Sequence, residues 1–215
     1  MGMIANWFNR RLATISIAVF LVIWFGLQLA VLNLYGQETM LRLFYAVPTE
    51  HLIPAIQPGS FVSGVSHAVH NPSHLFGNLV LLLVVGSLVE PRLGKLRVVF
   101  IVIVLGTIAA FLVNLSSPFH GMWMEAGASN GILALWAYAA LRLLPLARQI
   151  SRDTMFEPEH VEKTYAGLIV GAFPLVFVIG LLLEGNPGHF VGILLGLIFL
   201  PFDRYLFLKK GDVQH

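Results

Sequence analysis

The sequence predicts an all-α, polytopic membrane protein, a bundle of six transmembrane helices with both termini in the cytoplasm. Three observations carry that prediction. Apolar residues make up 57% of the 215 and charged residues only 11%, with a mean hydropathy of +0.82, far from the roughly 25% charged residues of a soluble domain. The apolar residues fall into six runs, each near the roughly 17–25 residues that a membrane-crossing helix needs. Twelve of the 13 Lys and Arg residues lie on one side of the alternation those runs define, and the positive-inside rule makes that side cytoplasmic.

The first run, about 11–35, follows Arg10 and Arg11. It exceeds the roughly 7–15-residue core of a signal peptide and no small-x-small cleavage site follows, so it reads as a signal anchor that stays. The start MGMIAN has Asn6 where a myristoylation signal carries Ser or Thr. The outer loop at about 36–73 is long, aromatic, punctuated by proline and poor in charge, a composition suited to the membrane interface. It holds Arg42, the one basic residue on the outer side. The second run, about 75–90, is short, and Arg92, Lys95 and Arg97 separate it from the third, about 96–116. Arg142, Arg148, Arg152 and Lys163 surround the connection between the fourth run, about 129–147, and the fifth, about 164–183. The sixth, about 189–208, ends among Arg204, Lys209 and Lys210. No fixed-period repeat or second soluble domain is visible, so residues 1–215 are read as one membrane domain, expected in the plasma membrane of a prokaryote.

Composition also excludes functions. Cysteine is absent, which removes disulfides, thiolate nucleophiles and Cys-based zinc or iron–sulfur sites. The net charge of +2 reports orientation in a membrane chain, so no nucleic-acid partner is expected.

Spans 2, 4 and 6 all run from outside to inside in this topology, so their N-terminal residues share one depth near the outer face. Those residues are polar. Span 2 begins His74-Leu75-Phe76-Gly77-Asn78, span 4 begins Gly127-Ala128-Ser129-Asn130, and span 6 begins Gly188-His189. His74 and Asn78, four apart, stand on one helical face. Ser129 and His189 would supply a nucleophile and a general base. Candidates for holding an oxyanion are the Asn78 carboxamide, the His74 imidazole and the Ser129 backbone N–H, which a helix N-terminus leaves without an intrahelical acceptor. Glu125 and Glu184 are on the outer side but in loops, so a Ser–His dyad is the simpler arrangement. Gly188, Gly192 and Gly196 form a stripe on the His189 face of span 6, and span 4 carries Gly131, Ala134 and Ala137, small residues that let two helix backbones meet.

Each feature has a plainer reading. A lone Ser in a membrane helix usually bonds its own preceding turn, a His at a helix end is often interfacial, and glycine stripes are commonly packing alone. The coincidence of three helices at one depth favours a site.

In order along the chain, these segments resemble the rhomboid family of intramembrane serine proteases. HNPSHLFGN at 70–78 is followed by Gly86, Glu90 and Gly94, similar to the family's GxxxExxxG. GASNGILAL at 127–135 resembles its GxSG signature, and GHFVGILLG at 188–196 its His-x-x-Gly-x-x-x-Gly. The resemblance implies a six-helix bundle that cleaves transmembrane segments of membrane proteins without a cofactor or metal. It further implies Ser129 as nucleophile, His189 as base, and His74 with Asn78 around the oxyanion. Asn130 stands where the family usually has Gly, Leu133 where an aromatic residue often packs against the catalytic histidine, and the family's Trp-Arg pair is not evident. Asn130 either donates near the oxyanion or pairs with a loop carbonyl, and the second is favoured.

Three other readings compete. An inactive relative that binds transmembrane segments usually lacks the serine or the histidine, and both are here. A bis-histidine haem protein or a metal site would use His67, His70, His74 and His189, but Pro72 interrupts the first three and the inner half offers no second pair of histidines. A transporter would need polar groups through the full depth of the membrane.

Overall fold

The computed structural model describes residues 3–45, 58–120, 127–147, 158–178 and 186–207. The regular elements among the described residues are all helical. They are α1 (Met3–Asn9), α2 (Leu12–Phe44), α3 (Pro58–Val62) with a 3₁₀ turn at Ser63–Val65, α4 (Pro72–Leu93), α5 (Lys95–Val99), α6 (Gly106–His120), α7 (Ser129–Ala147), α8 (Pro158–Val178) and α9 (Pro187–Phe207). A π-helical stretch, Phe100–Leu105, makes α5 and α6 continuous. Among the described residues a helix thus lies over each of the six apolar runs, as far as Val178 in the fifth and Phe207 in the sixth. Leu12–Phe44, Pro72–Leu93 and Lys95–Leu115 are long and apolar enough to cross a membrane, and Pro187–Asp203 is a shorter apolar helix.

Local chemistry explains where these helices begin. Pro72 occupies the first turn of α4, where a missing N–H costs nothing and its fixed φ suits the helix, so α4 starts three residues before the apolar run. At α9 the Asn186 side chain accepts a hydrogen bond from the Gly188 N–H at 2.7 Å, an N-cap ahead of Pro187. That cap sets His189 in the first helical turn.

The outer loop differs from its sequence reading. Helix α2 runs past residue 35 to Phe44, broken at Gly36, whose φ of +82° is left-handed and suits a residue with no Cβ. Beyond that break Met40 and Phe44 are buried, packing back on Trp24, Phe25 and Leu32. The first part of the loop is therefore a helical segment folded onto span 1.

Helix α7 is the centre of the bundle. Residues 127–140 are all buried, and α4, the π-helical stretch, α6, α8 and α9 surround them. Close packing holds such a bundle, since lipid gives no hydrophobic drive for helices to associate. A Cβ added to Gly192 would fall on the Asn130 carbonyl, and one on Gly196 on the Ala134 carbonyl. Gly131 does not belong to that face. It meets the Val102 carbonyl and Gly106 of span 3, because α7 is buried all round and one residue of helix, a turn of about 100°, separates Gly131 from Asn130, which carries the Gly192 contact.

At the end of the bundle away from Ser129, Glu90 accepts the backbone N–H groups of Ala13 and Thr14 at 2.9 and 2.8 Å. The Arg97 guanidinium meets Asp203 at 2.6 Å. These contacts tie α4 to α2 and α5 to α9.

Candidate active site

Ser129 is the first residue of α7 and His189 lies in the first turn of α9. The glycine contacts at 192 and 196 hold the two helices backbone to backbone below them. Ser129 Oγ and His189 Nε2 are 2.9 Å apart, and both residues are buried, 6% and 4% exposed. This is hydrogen-bond distance between a hydroxyl and a ring nitrogen able to take its proton.

Asn78, also buried, stands one turn below the half-buried His74 on α4. The stretch before Ser129 passes directly over both. Gly127 has φ +124°, and a Cβ built on it would lie 2.8 Å from His74 Cε1 and 3.4 Å from Asn78 Nδ2. The Gly127 N–H donates to the Ser63 carbonyl at 3.0 Å, and Asn114 Nδ2 donates to Ser63 Oγ at 3.0 Å. Loop, α6 and α7 are thereby pinned around the serine. His74, Asn78, Ser129 and His189 thus gather at one end of the bundle, on α4, α7 and α9. Gly188 is buried there as well, its N–H capped by Asn186.

Other sequence expectations fall elsewhere. Leu133 packs with Ala137 and Ile193, one turn of α9 beyond His189, so an aliphatic contact lines that side. Asn130 is fully buried and its backbone carries the Gly192 contact. Arg42 pairs with Glu38 at 2.6 Å on an exposed helical turn. Glu125 and Glu184 lie outside the described residues. The histidine cluster divides: His67 is buried, His74 half-buried and His70 exposed.

The residue that sequence reasoning missed is His67, which it weighed only as a haem or metal ligand and set aside. Its Nε2 lies 2.9 Å from Asn78 Nδ2 and its Nδ1 lies 3.1 Å from the Val65 carbonyl. The backbone of His67 is clamped by Gln28 of α2, whose Oε1 accepts the His67 N–H at 3.0 Å and whose Nε2 donates to the His67 carbonyl at 3.2 Å. Tyr45 donates to the same carbonyl, and Trp24 Nε1 donates to Ser66 Oγ at 3.1 Å. Burial, with His74 beside it, pushes the His67 pKa down to about 4. One signal was available: Gln28 is a carboxamide inside an apolar run, a position that calls for a buried partner.

The rhomboid domain family model matches residues 60–205, which contain all of these groups except Tyr45 and those from α2. The chain belongs to the rhomboid family. It is accordingly an integral membrane protein of a family that acts on transmembrane segments within the bilayer. A search of the curated proteins returned no match.

Proposed function

We propose that this rhomboid is an active intramembrane serine endopeptidase, with six spans and cytoplasmic termini, that cuts other membrane proteins near the outer end of a transmembrane segment. The observation that carries this reading is the 2.9 Å approach of Ser129 Oγ to His189 Nε2, with Asn78 Nδ2 at the turn that delivers the serine. In the proposed reaction Ser129 Oγ attacks the scissile carbonyl while its proton passes to His189 Nε2. The oxyanion is held by the Ser129 N–H, the Asn78 amide and His74. His189 then protonates the leaving amine, and water hydrolyses the acyl-enzyme with His189 again as base.

The location of the site supports the choice of substrate. A protease reads extended backbone, whereas a lipid-embedded segment is helical because its amides have no other partner. Unwinding is least costly at the membrane boundary, where the N-termini of α4, α7 and α9 would lie and water reaches the acyl-enzyme. Helix-weakening Gly and Pro in the substrate should favour cutting, and the family resemblance implies a small residue before the scissile bond.

The test is incubation of the purified protein with a single-span reporter and mapping of the cut by mass spectrometry. Cleavage near the outer end of the span, absent in Ser129→Ala, is expected. Exclusive cleavage at the cytoplasmic end would contradict topology and mechanism together. No cleavage of a range of helix-weakened reporters by a folded protein would favour an inactive relative that binds such segments, a reading for which Asn130 is the sequence argument.

A further inference from the structure

A carboxamide that is to donate to an oxyanion has to be kept from rotating by 180° and presenting its oxygen instead. Nothing within the Asn78 side chain does this. The second hydrogen-bond partner has to, and that partner is His67.

We propose that His67 is a positioning residue for Asn78: its imidazole, fixed as the Nδ1–H tautomer, accepts one Asn78 amide hydrogen and so directs the nitrogen of that carboxamide toward the turn before Ser129. This rests on the proteolytic reading above. The tautomer follows from the partners. The Val65 carbonyl only accepts, so the proton of a neutral ring is on Nδ1, and Nε2 is left as an acceptor. An acceptor at 2.9 Å selects the nitrogen of Asn78 and excludes its oxygen. One amide hydrogen is consumed by His67, and the other stays on the nitrogen that borders Gly127.

The ring itself cannot drift. Gln28 holds the His67 N–H and carbonyl together, Tyr45 adds a second donor to that carbonyl, and the His74 ring packs against the imidazole at 5.4 Å between centroids. The order Gln28, His67, Asn78 is a chain of neutral hydrogen bonds from α2 into the site, each member fixing the next, as outer groups fix the orientation of working side chains elsewhere.

The experiment uses the full chain in detergent with the single-span reporter. His67→Phe keeps a ring but removes the acceptor. It should lower kcat by about 10- to 100-fold, bounded by the loss of one oxyanion donor, and leave KM within about twofold. Added to Asn78→Ala it should cost nothing further, and His67→Gln, whose carbonyl oxygen can accept from Asn78, should recover part of the rate. A second measurement does not depend on how the Phe variant folds. The ¹⁵N resonance of His67 Nε2 in the wild type should be that of an unprotonated, hydrogen-bonded nitrogen and should move in Asn78→Ala. Full activity in His67→Phe, a loss that multiplies with that of Asn78→Ala, or a protonated Nε2 at neutral pH would each overturn the proposal while leaving the protease reading intact. A wild type that neither cleaves reporter nor reacts with a fluorophosphonate would overturn the protease reading, and the positioning role with it.

Discussion

The two ends of this bundle are built from different chemistry. At one, Glu90, Arg97 and Asp203 are charged groups used up in structural bonds: both Glu90 oxygens accept backbone N–H groups and Arg97 holds Asp203. At the other, the buried polar side chains around Ser129 are neutral: Gln28, Ser63, Ser66, Asn78, Asn114 and Asn130, with the imidazole of His67 held neutral. A charge buried in lipid is tolerated where its partner is permanent. A site of the proposed kind, which must accept a new group and release it, is better made of neutral dipoles fixed beforehand. One end therefore closes the fold, and the other holds preorganised hydrogen bonds.

That contrast is broken most severely at His189. His189→Ala should reduce turnover by at least about 10⁴-fold with thermal unfolding close to wild type, as measured by reporter cleavage and a melting curve on the same preparation. A large loss of stability with little loss of rate would assign His189 to the closing role instead.

Glu90→Ala should behave in the opposite way. Leaving two buried N–H groups without an acceptor should cost about 2–4 kcal/mol of stability, read as an earlier unfolding transition, while kcat per folded molecule stays near wild type. Equal losses in rate would mean that the two ends are coupled.

The smallest effect is expected from acid. With its pKa lowered to about 4, folded His67 stays neutral while the unfolded chain takes up a proton below about 6.5. The stability this group contributes is thus full above that value and falls as the pH drops toward 4. His74 on α4 and Tyr45 after α2 are the titratable groups against it. The melting temperature should fall by several degrees across that window, and His67→Phe should lack this component of the slope. An unchanged slope in the variant would place the titration on another group.

Much of the site was legible in the sequence because its parts occupy helix starts. Ser129, His189, His74 and Asn78 each stand where an apolar run begins, and a topology drawn from Lys and Arg brings those starts to one depth. What was not legible depends on contacts between segments that lack periodicity. His67 lies in an irregular stretch, and its partner Asn78 follows a proline that ends any helical reading between them. The nearest pattern, three histidines, suggested only a haem or metal site, which Pro72 argued against. Gln28 stands 39 residues before His67, and no spacing rule connects them. The direction of Gly131 was hidden for another reason: a helix buried on every side has no polar face to orient it, so only the backbone contact with Val102 shows which neighbour it serves. Helix α2 outran its expected end because Met40, Leu41 and Phe44 form an apolar face beyond Gly36, a short amphipathic stretch inside a loop that composition alone describes as interfacial.

The most direct test of the central claim is the chemistry of one oxygen. The wild-type protein in detergent, treated with a fluorophosphonate and digested for mass spectrometry, should carry the adduct on Ser129. Ser129→Ala should carry none, and His189→Ala should react far more slowly. Equal labelling of wild type and Ser129→Ala, or an adduct on another residue, would contradict the assignment of Ser129 as a nucleophile activated by His189.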